Sequence, residues 1–300
     1  MERLRKLIEN RDKGINFDVA TERLISTIQS FSKEETEIVL TTVGIIPELF
    51  DKDSTEEKLY SKASDAVLAK ALTYLGFETA LFKTRGDSAD VFAKSKIWGY
   101  SLIADAKSFR LSRTAKNQKD FKIKALNDWK NEARADYAIL VTPYYQYPTK
   151  QSQIYRQALD CNVCLFSWET LFFLLKNDIC ENSELTLAPL WNYSNLRASE
   201  CLHKDSKKNF LKLFIAFITE TLKIHDFKWK ESLEENRSVA LACGMREIRD
   251  LREEISRIKK LSYQEVVEKL IDAIGYESRI STIRSVLEKI DRMMGKAAND

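Results

Sequence analysis

RGDSADVFAKSKIWGYSLIADAKSF, residues 85–109, decides how the chain is read. A polar turn around Gly86 leads into DVFAKSKI, and after a Trp-Gly break a second run, YSLIADAK, ends on Asp105, Ala106 and Lys107. Partly alternating runs of this length, bounded by turn residues, are expected to be strands. Side chains alternate across a strand, so Asp105 and Lys107 project from one face while Ala104 and Ala106 face the other way. If the two runs pair as a hairpin, Asp90 lies across from them. Two carboxylates beside the backbone carbonyl of Ala106 would supply hard oxygen ligands, which suits Mg²⁺, with Mn²⁺ as a substitute. Next to a phosphodiester, Lys107 could hold the attacking water, favour its deprotonation and stabilise the added negative charge. The competing reading is an edge-strand salt bridge, since Asp and Lys two apart recur by chance.

Working outward, FETALFK upstream has the length of a third strand, and YAILVTP and NVCLFSW downstream have the character of short buried strands. Between them QKDFKIKALNDWKNEA and SQIYRQAL return to helical spacing, and ETLFFLLKN follows the last strand. Residues 1–50 read as helical, with TERLISTIQSF and EETEIVLTTVGIIPELF carrying apolar residues three and four apart up to Pro47. Ser54 followed by Glu57 is a capping-box pattern, and the amphipathic run behind it extends to Gly76, a C-terminal stop. Beyond residue 180 the strand signals vanish and four helical segments follow. In one of them Met245, Ile248, Leu251, Ile255 and Ile258 form an apolar stripe suited to core or subunit packing. The expected class is α/β (α+β): a mixed sheet flanked by helices within residues 1–180, with a helical N-terminal segment. An all-helical region, 181–300, is expected to pack on it and to serve in dimerisation.

Three hundred residues with 44% hydrophobic content suffice to bury a core without staples. Five cysteines with irregular spacing, and a charged start without an apolar leader, point to a reducing, cytoplasmic compartment. The richest apolar window, FLKLFIAFITETLKI, is short and charged, so no membrane partner is expected. The net charge of +3 hides an asymmetry: Lys94 to Arg134 holds eleven Lys or Arg against four Asp or Glu. Such a concentration fits a phosphate backbone, or else a solvated helix face. Cys161 and Cys164 form CNVC, but they fall in an expected buried strand, and only His203 and His225 could add imidazoles, so zinc is not expected. YYQYP, residues 144–148, could stack on bases, but a loop packed on the sheet edge is the better reading. No GxxxxGK occurs, so ATP use is not indicated.

LIADAKSFRLSRTAKNQKDFKIKAL, with STEEKLYSKASDAVLAKAL, RGDSADV, QYPTKQSQIYRQ and LFSWE, resembles type II restriction endonucleases of the PD-(D/E)XK nuclease superfamily. The resemblance spans roughly residues 36–195. It implies a nuclease core in which Asp90, Asp105 and Lys107 perform metal-dependent phosphodiester hydrolysis. Ala89 stands where many members carry proline, at a position that varies among them. A glutamate from the first core helix often joins the metals; Glu57 is the candidate here, with Glu56 and Asp65 as rivals and helix capping as the alternative role. The resemblance also implies that SFRLSRTAKNQKDFK enters the major groove of double-stranded DNA. Asn117, Lys119 and Asp120 are then the candidates for base edges, and Arg110, Arg113, Lys116 and Lys122 for phosphates. A homodimer reading the palindrome AAGCTT and cutting after the first A to leave 5′ overhangs is implied as well. Two rivals share these residues: a repair or junction nuclease on the same core, and a DNA-binding protein with a dead site.

Overall fold

The computed structural model describes residues 2–12, 14–82, 89–112, 121–148, 152–197 and 209–274, with positions 281 and 284. Two compact units divide the chain, Met1–Glu247 and Ile248–Asp300. The division expected at residue 180 is one of element type; the helices between it and Glu247 belong to the first unit.

Within that unit, α1 (Glu2–Glu9), α2 (Phe17–Gln29), α3 (Lys33–Leu40) and α4 (Thr55–Tyr74) precede β1 (Phe77–Leu81), β2 (Val91–Ser95) and β3 (Ser101–Ala106). There follow α5 (Ile123–Glu132), β4 (Tyr137–Thr142), a short 3-10 turn at Tyr144–Gln146, α6 (Gln153–Cys161), β5 (Val163–Ser167) and α7 (Trp168–Lys176). Two short turns, α8 (Ala188–Trp191) and α9 (Tyr193–Leu196), lead to α10 (Phe210–Thr221) and to α11 (Asp226–Ile258), whose residues from Ile248 on belong to the second unit. In the second unit, α12 is Tyr263–Ile274. All five expected strands are present, and among the described residues none follows β5. No helix among the described residues is long and apolar enough to cross a membrane.

The sheet runs in the order β1-β2-β3-β4-β5. β1, β2 and β3 are antiparallel neighbours, while β3, β4 and β5 are parallel. Composition explains the change. Val163–Ser167 is buried throughout, as is Ala138–Thr142 in β4, the pattern of parallel strands covered on both faces. β1 instead alternates buried and open residues and carries Glu78 at the sheet edge. α4 packs on β1, β2 and β3; α5 packs on β3, β4 and β5. Ser54 Oγ accepts from Glu57 N at 3.1 Å and starts α4. Gly76, at φ +102°, takes the chain out of it through a conformation that a side chain would strain.

One helical expectation fails. The chain leaves α3 at Leu40, and residues 41–50 are not helical although the apolar spacing continues. Ile45 instead forms a parallel bridge with Phe109, Phe109 N donates to Gly44 O at 2.9 Å, and Ile46 N donates to Phe109 O at 3.1 Å. Turn hydrogen bonds, Val43 N to Val39 O at 2.9 Å and Ile45 N to Thr42 O at 3.0 Å, carry the chain out of α3, and tertiary pairing with the exit of β3 decides the matter. Gly44 permits the approach: a Cβ there would sit 2.6 Å from Pro143 Cγ and 2.8 Å from Trp168 Cδ1.

Candidate active site and its reading segment

The hairpin places Asp90 as expected. Val91 pairs with Ala104, Asp90 N donates to Ala104 O at 3.1 Å, and Asp90 Oδ2 accepts from Ala106 N at 3.1 Å. Asp105 and Lys107 meet on one side of the strand in an ion pair. Lys107 N donates to Val141 O at 2.8 Å, and Trp168 Nε1 donates to Lys107 O at 3.0 Å, so β4 and α7 fix the backbone beyond β3. The indole of LFSWE is a contributor that residue type alone did not reveal.

A third carboxylate comes from α4, and it is Asp65. Asp65 and Asp105 are buried while Asp90 and Lys107 are partly covered. Burial, followed by the nearby Asp65 and Asp105 carboxylates, pushes Asp90 up to about 8. Burial pushes Asp65 up to about 6 against the pull of Lys62, whose Nζ donates to Asp65 Oδ2 at 2.9 Å, and Asp105 adds to the rise. Burial weakens the hold of Lys107 on its proton, but Asp105, Asp90 and Asp65 outweigh this and its pKa is raised. The corner thus crowds three acids against two ammonium groups.

Among the described residues, no three His, Cys, Asp or Glu side chains close on a common point as a complete metal cage. Asp105 Oδ2 is buried, touches the Lys107 ammonium and has no hydrogen bond of ordinary geometry. The mutual repulsion of the acids, offset only by lysines, fits a hard cation that takes few protein oxygens and completes its shell with water and phosphate.

Glu57 lies elsewhere. Its Oε2 accepts from Asp53 N at 2.6 Å and its Oε1 pairs with Arg110 Nη1 at 2.6 Å. Arg110 Nη2 also donates to Phe50 O at 2.6 Å, so this guanidinium, expected on a phosphate, is held inside the chain. Glu56 pairs with Arg11 at 2.7 Å. Lys122 is exposed just before α5, its Nζ 5.8 Å from the Trp129 ring centroid. Arg113, Lys116, Asn117, Lys119 and Asp120 lie outside the described residues, as do Gly86 and His203.

Cys161, Cys164 and Tyr147 have structural places. Cys164 Sγ donates to Leu190 O at 3.2 Å inside the core, and Cys161 ends α6. Tyr147 is buried, with its hydroxyl within reach of the Leu140 and Phe166 carbonyls, and Tyr145 is exposed. Met245, Ile248, Leu251, Ile255 and Ile258 are all exposed.

Comparison with known proteins extends beyond the middle of the chain. The family described as HindIII restriction endonuclease matches residues 1–287. The type II restriction enzyme HindIII of Haemophilus influenzae is 40% identical over 290 residues, covering 97% of this chain and 96% of that protein. The restriction endonuclease FokI is a solved structure with 12% identity and a TM-score of 0.37; the match covers 58% of this chain and about a third of that one, 33%. The similarity therefore takes in the N-terminal helices and most of the helical tail, beyond residues 36–195. With a family match over nearly its whole length, the chain belongs to the HindIII restriction endonuclease family, and with it to the type II restriction endonucleases.

Proposed function

We propose that this protein hydrolyses double-stranded DNA at the palindrome AAGCTT, after the first A, with Mg²⁺ and as a homodimer in the cytoplasm of a prokaryotic host. The observation that carries the reading is the convergence of Asp90, Asp105 and Lys107 where β3 ends, directly before the basic segment. Asp90, Asp105 and the Ala106 carbonyl would hold Mg²⁺, which when bound supplies positive charge at the phosphodiester and lowers the pKa of a water. Lys107 keeps its proton beside the acids and can donate from Nζ to the attacking water and to phosphate oxygens as negative charge builds. Asp65 is the carboxylate that α4 contributes in this reading, with Lys62 held against it, while Glu57 serves Arg110.

Asn117, Lys119 and Asp120 take base edges, and Arg113, Lys116 and Lys122 neutralise phosphates. A palindrome is read by two copies about a two-fold axis, each cutting one strand. The helical region after residue 180 is assigned to packing and dimerisation. Incubating purified protein with plasmid and Mg²⁺, then sequencing the ends, tests this. Discrete fragments with AGCT overhangs are expected. Nicks confined to junctions, or a gel shift without cutting, would replace it with one of the two rival activities.

A further inference from the structure

The exit of β3 is held residue by residue. Ser108 Oγ donates to Val43 O at 2.8 Å, and Phe109 pairs with Gly44 and Ile46. Arg110 is held by Glu57 and Phe50, and Leu111 packs with Ile45, Val239, Ala240 and Cys243. Ser112, the last described residue before position 113, has both its donors on one carboxylate. Ser112 N donates to Glu48 Oε1 at 2.8 Å and Ser112 Oγ to Glu48 Oε2 at 2.7 Å. Glu48 is itself anchored, its N donating to Glu247 Oε2 at 2.7 Å.

A bidentate grip on an exposed serine is more than the sheet needs for stability, because water could satisfy both donors of Ser112. What water cannot do is fix direction. Two bonds from one planar carboxylate set both the position and the heading of the backbone at residue 112. Base readout depends on that heading, since bidentate contacts to base edges fail with small misplacements. The anionic grip also immediately precedes in sequence a segment that approaches phosphates in the proposed function, a place where an acid is unfavourable unless its charge is already engaged.

We propose that Glu48 is a positioning residue for sequence discrimination, aiming the segment that begins at residue 113 by clamping Ser112. This rests on the reading of that segment as the DNA-reading element. Glu48 touches neither the acids nor Lys107 through any described bond, so its loss acts on site choice before it acts on hydrolysis.

The test compares cleavage of AAGCTT with singly altered sites for wild type, E48A, E48Q and S112A, alongside thermal melting of each. Wild type must first cut discretely; if it does not, the function proposed above fails and not the clamp. E48A is expected to lower the ratio of cognate to altered-site cleavage about tenfold, the lower range for one lost base contact. Cleavage at altered sites persists. E48Q should rescue the ratio, because its carbonyl accepts from Ser112 N while its amide donates to Ser112 Oγ. S112A, which keeps the backbone donor, should lose part of the ratio without a shift in melting. If E48A melts early, the ratio in S112A alone decides the outcome. An unchanged ratio in S112A and in any folded E48A overturns the proposal, as does a fall in E48A that E48Q fails to rescue.

Discussion

Two stretches a few residues apart treat charge in opposite ways. At the end of β3, Asp90 and Asp105 stand with Asp65 against two lysines, and both Asp65 and Asp90 hold protons more tightly than a carboxylate in water. Just beyond, Arg110 with Glu57, and Ser112 with Glu48, are matched donor for acceptor. The first arrangement is poor as architecture and useful as a binding site, because crowded acids gain most from a cation. The second is sound as architecture and asks for nothing further. In the reading proposed above, chemistry and aim are separated along one strand exit.

The sharpest way to break this contrast is D105A. It should lower the single-turnover cleavage rate at least about 10³-fold, the scale of losing a preorganised charge-stabilising group, while specific binding in a gel shift survives. Cutting at the wild-type rate would remove Asp105 from the machinery. Next comes N117A, expected to cost about 1–3 kcal/mol of discrimination between cognate and altered sites. If the ratio holds, Asn117 is no base reader.

A third measurement addresses stability. Asp65 and Asp90 have folded pKa values raised to about 6 and about 8, above the unfolded value of roughly 3.9. The native state therefore holds protons that the unfolded chain has released. The stability these groups contribute is full below about pH 4 and is lost as pH rises through about 6 and about 8. With chelator present, melting temperature should fall with pH between those limits more steeply for wild type than for D90N. Added Mg²⁺ at pH 8 should raise it for wild type more than for D90N. Parallel curves for the two proteins would dissolve the contrast. The smallest effect is expected from E57Q, about 1–2 kcal/mol of stability for a weakened charge-assisted bond, with the cleavage rate near wild type. A collapse of the rate on the scale of D105A would return Glu57 to the metal.

What the sequence disclosed follows a physical line. Strands such as Tyr137–Thr142 were legible because unbroken apolar runs bounded by turns have few other fates. The Asp90, Asp105 and Lys107 set was legible because period-two geometry and a hairpin are local rules. The non-helical path of residues 41–50 was hidden, since its apolar spacing imitates a helix and only pairing with Phe109, far along the chain, reveals otherwise. That Asp65, and not Glu57, stands beside Asp90 and Asp105 was hidden for the same reason. A helix face can be read from spacing, but which carboxylate on it meets β3 depends on how the helix docks on the sheet. Glu48 gave no signal at all, because its meaning lies in Ser112, 64 positions away.

Gly44 makes the ensemble fragile in a specific respect. A methyl group there would collide with Pro143 and with Trp168, and the indole of Trp168 steadies the carbonyl of Lys107. Substitution is therefore constrained at a position that lies outside the cluster of acids. A scan that scores tolerance by distance from the reacting atoms would rank residue 44 as forgiving, and would mistake the keystone for filler.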